Sequence, residues 1–266
     1  MTKVFSILAS CLLLFACSGE EPRKESATEG DSHLEVFDSR EAERALYEDL
    51  GVSEVFGYLR IFPDTAQSDT SFLIRYEKID SIGRKVRLAE YRMDGFMISN
   101  TAYQYDEQNR RVASSTIGPD GQLKSQNAFS YDASGQPDKV LNRMGPEGES
   151  EMTIYFDYVL PERQVIQRMV SSEGKEVASF KFSLNEAGKF TVCDINSGGK
   201  AYEQHFTYGV DGKLVEDLMT SEEQVLARTK YLYQPDGLKK EKWLIGVGDT
   251  LEGIVEYRYS FGHLSQ

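Results

Sequence analysis

Phe129-Ser130-Tyr131-Asp132-Ala133-Ser134-Gly135 is the stretch whose reading decides the fold. Phe129 and Tyr131 stand two residues apart, so in a strand both side chains point to one face. Asp132 and Gly135 then supply what a tight turn needs. Asp tolerates turn conformations and bonds its own backbone, and Gly is free to take positive φ. The pattern recurs along the chain. An aromatic or apolar residue, one spacer and a Tyr or Phe stand at Ile74/Tyr76, Tyr103/Tyr105, Phe129/Tyr131, Phe156/Tyr158, Phe180/Phe182, Phe206/Tyr208, Tyr231/Tyr233 and Tyr257/Tyr259. The second members are separated by 29, 26, 27, 24, 26, 25 and 26 residues. A fixed period of this size is the mark of a repeat architecture.

Turn-forming residues follow the pairs, as in Asn185-Glu186-Ala187-Gly188-Lys189, Val210-Asp211-Gly212-Lys213 and Pro235-Asp236-Gly237. A second set lies half a period on, as in Asp94-Gly95, Pro119-Asp120-Gly121 and Pro146-Glu147-Gly148. Turns this close, with no helical pattern between them, leave room for strands of roughly 7–9 residues joined as antiparallel hairpins. The expected fold is therefore all-β. It is an antiparallel meander of about fourteen strands, with one or two more at the start, built from two-stranded repeats. An open sheet rarely exceeds ~10 strands, so the meander is expected to curl into a spiral or barrel-like wall. The aromatic pairs are expected on its inner face. Before the repeats, Ser39 to Leu50 reads as a short helix that covers the first sheet edge. Residues 52–62 fit either a strand or a continuation of that helix.

The chain of 266 residues carries a formal charge of −13. Without residues 1–16 it keeps 29 basic and 43 acidic residues, which speaks against nucleic acid as a partner. Lys3 precedes an apolar run from Val4 to Ala16 that is too short to span a bilayer. The run ends Leu14-Phe15-Ala16-Cys17, which resembles the lipobox of bacterial lipoproteins and implies lipidation at Cys17. Leu8-Ala9-Ser10-Cys11 matches the same letters but leaves a shorter apolar core. Ser18-Gly19-Glu20-Glu21 resembles the export tag of some Gram-negative surface lipoproteins, which favours the outer membrane. The organisation expected is a signal peptide over 1–16, a lipidated flexible tether over 17–38, a helix and capping segment over 39–71 and the repeat domain over 72–266.

The unit of Tyr, turn with Asp or Asn and Gly, then Lys or Arg, resembles the YD repeats of the RHS family. Tyr131-Asp132-Ala133-Ser134-Gly135, Tyr208-Gly209-Val210-Asp211-Gly212-Lys213 and Tyr105-Asp106 carry the likeness, although only Tyr105 and Tyr131 are followed directly by Asp. A weaker likeness is to MORN-type hairpin repeats. The family winds many hairpins into a shell around a toxin domain, for which this chain has too few repeats. The resemblance implies hairpin architecture rather than an activity.

No catalytic, metal or cofactor motif stands out. His33, His205 and His263 are scattered, and GxSxG, HExxH and phosphate-loop patterns are absent from the sequence. Cys193 reads as a small buried hydrophobe. The expectation is a non-catalytic, membrane-anchored envelope lipoprotein with a protein or glycan partner. Its candidate binding face comprises Tyr105, Tyr131, Tyr158, Tyr208 and Tyr233, with Trp243. The competing reading is an envelope hydrolase whose carboxylates are dispersed over several strands.

Overall fold

The computed structural model describes residues 39–62, 70–146, 148, 150–222 and 224–262. Among the described residues there are one α-helix, α1 (Ser39–Leu50), and sixteen strands. The first eight strands are β1 (Val52–Ile61), β2 (Phe72–Ile79), β3 (Lys85–Tyr91), β4 (Met97–Tyr105), β5 (Arg111–Ile117), β6 (Leu123–Tyr131), β7 (Pro137–Met144) and β8 (Ser150–Val159). The second eight are β9 (Gln164–Ser171), β10 (Glu176–Leu184), β11 (Phe190–Ser197), β12 (Lys200–Tyr208), β13 (Leu214–Ser221), β14 (Gln224–Tyr233), β15 (Lys239–Ile245) and β16 (Leu251–Phe261). Each pairs antiparallel with its neighbours in sequence, so the meander is complete.

The turn after Tyr131 shows how one repeat is made. Asp132 N donates to Gln136 O at 2.8 Å and Gly135 N to Asp132 O at 3.1 Å. The Asp132 carboxylate accepts from the Ser134 and Gln136 amides. Gly135 takes φ +88°, which costs a residue without Cβ nothing. The register slips between Ser130 and Tyr131, a bulge that bends the strand and raises its twist. Asp106 with Asn109 (φ +64°) repeats the design, as do Asn185 and Asp80.

The wall closes. β1 pairs with β2 on one side and with β16 on the other, Val55 facing Tyr259 and Leu59 facing Val255. The expectation of about fourteen strands in a spiral or barrel-like wall is thus corrected to sixteen in a closed barrel. Closure consumes both edges that an open meander would expose, and bulge-driven twist accumulated over the hairpins brings them together. The helix accordingly covers no edge. It runs across one mouth, touching the β2–β3 turn and the β14–β15 turn. A Cβ on Gly83 (φ +78°) would sit 2.0 Å from Arg44 O, and Leu46 lies against Gly237. Tyr47 and Val52, Val55, Ile79 and Leu238 form the small core beneath it.

Alternation along the strands separates two faces. Seven of the eight aromatic pairs named from the sequence point inward; Ile74 and Tyr76 do not. Tyr76 packs against Phe56 on the outer wall, ring centroids 5.4 Å apart. The places in β2 equivalent to Tyr103 and Tyr105 of the next repeat are held by Glu77 and Ile79, which are buried. Ile79, 26 residues before Tyr105, lies three residues past Tyr76 on the same strand, and three steps of period-2 alternation put the two on opposite faces.

Buried inward residues of β7 to β11 form the main cluster, including Val140, Phe156, Val165, Phe180, Phe182, Cys193 and Ile195, with Phe129, Phe206 and Met219 packed on its flanks. Its members come from eight consecutive strands, β6 to β13, half of the barrel's circumference. Sixteen tilted strands about 4.8 Å apart enclose a round section of roughly 16 Å radius, wider than side chains can fill. Thr101, Thr116, Asn142, Tyr202, Thr229 and Leu244 on the inner wall keep partial exposure, as expected of a hollow barrel.

Candidate functional site

The helix-side mouth is built from the residues that end the even strands. The Tyr105, Tyr131, Tyr158, Tyr233 and Tyr259 hydroxyls donate to the carbonyls of Lys85, Arg111, Pro137, Leu214 and Lys239, at 2.6–2.9 Å. Each of these acceptors opens the strand after the preceding repeat's turn. The tyrosines therefore staple one repeat to the last. The residue closing each turn covers the ring of the next tyrosine, Arg84 over Tyr105 at 5.0 Å and Arg110 over Tyr131 at 4.8 Å. Lys189 over Tyr208 and Lys213 over Tyr233 do the same at 5.5 Å. This gives a physical reason for the Lys or Arg that closes these turns. Burial pushes the Tyr208 phenol up to about 12, and Tyr158 and Tyr259 higher still, so none is a base at neutral pH.

Beyond this row the inner wall has two arcs. From β7 to β12 it is the apolar cluster already described. From β2 to β6 it is polar. Glu90 accepts from Ser99 at 2.8 Å, and the Thr101 and Thr116 hydroxyls meet at 2.9 Å. Asn142 Nδ2 donates to Asn127 Oδ1 at 2.7 Å, and Asn127 Nδ2 donates to Ser114 Oγ at 3.1 Å. A second polar patch lies on β12 to β14, where Asp217 accepts from Tyr231 at 2.7 Å and from Gln204 at 3.3 Å. Burial raises the Asp217 pKa, and its two donors and Lys242 work against that rise.

The helix docks on buried charge. Glu43 pairs with Lys239 at 3.0 Å, and Tyr47 packs on Tyr259 at 6.3 Å between ring centroids. Below it Glu77, 4% exposed, is held by Arg75 and by Lys85 at 2.8 Å. Burial alone would raise the Glu77 carboxyl, but the two cations outweigh it and bring it to about 2.

One cation differs. Arg111 lies in the polar arc at 9% exposure, its guanidinium 4.2 Å from the Tyr103 ring centroid and 5.9 Å from that of Phe129. It makes no ion pair with any described residue, and its Nε is buried without an acceptor. Asn142 Oδ1, Gln167 Nε2 and Gln204 Oε1 are likewise buried on the inner wall without a partner among described residues.

The outer wall carries charge pairs, with apolar residues such as Ile98, Tyr155 and Leu232 exposed between them. Arg168 pairs with Asp157 at 2.8 Å and Arg60 with Glu256 at 3.5 Å, while Glu216 lies 3.9 Å from Arg228 and 3.8 Å from Lys230. Lys124, Gln126 and Lys181 also face outward. A lipid-facing barrel presents instead an apolar band about 25 Å tall. Among the described residues no helix is long and apolar enough to cross a membrane, which by itself says nothing of strands.

Of the residues singled out in the sequence, Tyr105, Tyr131, Tyr158, Tyr208 and Tyr233 come together at one mouth. Trp243 does not join them. It lies on the outer face, its indole N–H donating to Glu241 at 2.7 Å. His205 is also outside, paired with Glu203. Cys17, the tether, His33 and His263 lie outside the described residues. Among the described residues no three His, Cys, Asp or Glu side chains are grouped to hold a metal. Sequence reasoning missed Arg111, Glu77, Lys85, Glu43 and Lys239. A signal existed: Lys85, Arg111 and Lys239 each open the strand that follows a Tyr-type turn.

No protein-family model and no curated protein matches the chain. Among solved structures it is similar to a porin-like protein from Bacteroides uniformis at 10% identity, covering 79% of this chain and 97% of that one, with TM-score 0.41. A porin-like protein from Bacteroides vulgatus matches at 10% identity over 80% and 99%, TM-score 0.40. A structure of TcdB2-TccC3 matches at 12% identity over 77% of this chain and 14% of that one, TM-score 0.31.

Proposed function

We propose that this chain is a lipid-anchored cell-envelope protein, held at the outer membrane through Cys17, whose hollow barrel stands in water as a non-catalytic binding scaffold for a glycan or protein. The division of the wall carries this reading. Its outside has the charge pairs of a water-exposed surface, and its inside offers aromatic rings, amides and hydroxyls to the lumen. A barrel of this kind does not sit in lipid, so membrane attachment falls to the N-terminus. There an apolar run ends at Cys17, and each buried acyl CH₂ contributes about 0.8 kcal/mol to anchoring. The residues between Cys17 and the helix would reach roughly 25 Å as a flexible chain. Hydrolysis is disfavoured because the inward carboxylates Glu77, Glu90 and Asp217 are each engaged by neighbours and His205 is outside.

Two measurements test the proposal. Fractionation of cells carrying Cys17→Ala is expected to move the protein to the soluble fraction; unchanged membrane attachment sinks the anchoring half. A thermal-shift panel of neutral oligosaccharides, acidic oligosaccharides and envelope peptides is expected to stabilise the purified chain with at least one class. A flat panel sinks the scaffold half.

A further inference from the structure

Three cations occupy the same place in three of the hairpin repeats, at the start of the strand that follows the turn. Lys85 is taken by Glu77 and Lys239 by Glu43. Arg111, one repeat on from Lys85, has no acid. Burying an unpaired guanidinium is costly, and ring faces offset that only in part. The chain carries a surplus of acids, yet among the described residues none is paired with this cation. The terminal nitrogens of Arg111 bond to no described residue, and unlike Nε they are not sealed from solvent. They reach the lumen.

A second vacancy lies beside it. The chain of side-chain hydrogen bonds from Ser114 through Asn127 to Asn142 begins three residues from Arg111 and ends at Asn142 Oδ1, a buried acceptor with no donor. Arg111 and Asn142 stand two strands apart and three residues out of level, on the order of 14 Å between Cα atoms. An acceptor is missing at one end and a donor at the other. A molecule with a carboxylate at one end and hydroxyls along its length supplies both.

We infer that the inner wall from β4 to β7 is a binding site for an acidic glycan, in which Arg111 takes the carboxylate of a uronic-acid-type sugar and Asn142, its amide turned toward the lumen on binding, accepts from a hydroxyl. This rests on the scaffold reading and names its ligand class. Guanidinium and carboxylate match as a bidentate pair, and lumen-facing amides suit sugar hydroxyls.

Calorimetry on the full-length, detergent-solubilised protein tests it with three probes: a trimer of galacturonic acid, the neutral galactose trimer and inorganic phosphate. The acidic trimer is expected to bind about tenfold to a hundredfold more tightly than the neutral one, the size of a charge-assisted hydrogen bond. Arg111→Gln is expected to abolish that preference and Arg111→Lys to keep part of it. Asn142→Ala, away from the buried cation and so safer for folding, is expected to weaken the acidic trimer without removing its preference over the neutral one. If Arg111→Gln does not fold, the Arg111→Lys and Asn142→Ala results decide, and unchanged affinity in both overturns the site. Equal binding of acidic and neutral trimers would overturn the Arg111 role while leaving the scaffold reading standing. Binding of phosphate without the acidic trimer would overturn the glycan. No response to any oligosaccharide or peptide would sink both readings.

Discussion

The polar arc of the inner wall, β2 to β6, and the apolar arc, β7 to β12, are made from the same hairpin and solve its interior differently. In the apolar arc Phe156, Phe180, Phe182 and Ile195 close over one another until Val165, Cys193 and Ile195 have no exposure at all. In the polar arc the same positions carry Ser99, Thr101, Ser114, Thr116 and Asn127, which bond sideways to the next strand. Burial of apolar area is non-directional and grows with every side chain added, whereas a neutral hydrogen bond contributes only about 1 kcal/mol net and demands a partner. The apolar arc is therefore expected to hold the barrel together. The polar arc keeps an unspent cation, Arg111, and its chain of hydrogen bonds runs on to Asn142 at the border of the apolar arc.

The largest break in this comparison should come from Phe180→Ala. It empties a buried site and is expected to cost about 3–5 kcal/mol, measured by urea unfolding. A cost no greater than that of a polar-arc substitution would refute the division of labour. Next comes the buried pair under the helix. The Glu77 carboxyl lies at about 2 in the folded chain against an ordinary value of 4.5. Its stabilising effect is therefore full above about pH 4.5 and is lost as pH falls towards 2. Linkage puts this at about 3 kcal/mol. Melting temperature should fall across that window, and Glu77→Gln should flatten the fall; an unchanged slope would remove Glu77 from the account. Asn127→Ala should cost about 1–2 kcal/mol, since it strips one bond each from Ser114 and Asn142 and leaves both barrel arcs otherwise packed. Smallest is Tyr131→Phe, which deletes the staple to the Arg111 carbonyl and should cost about 1 kcal/mol with no change in the apolar arc's hydrogen exchange.

Much of the repeat was legible because its determinants are local. Asp132 and Gly135 specify their turn within five residues, and the helix over Ser39–Leu50 carries its own apolar stripe. What misled was also local. Tyr76 has the right residue type two positions from Ile74, but its register is set by pairing with β1 and β3, and there it faces outward. Trp243, singled out by type, is likewise turned outward by alternation. The site residues were harder to see because they are ordinary residues made unusual by absence. Arg111 looks like Lys85 and Lys239 in sequence, and only the position of Glu77 and Glu43 tells which of the three lacks a partner.

By itself the sequence determined the hairpin, its period, the helix and the alternation of faces, because turn chemistry and period-2 spacing act over a few residues. The tertiary structure alone decided that β1 meets β16 from some two hundred residues away, that sixteen strands close around a lumen, and that the helix lies across a mouth rather than along an edge. Those outcomes depend on twist summed over the whole wall, and on which buried charge finds an opposite charge from a distant strand.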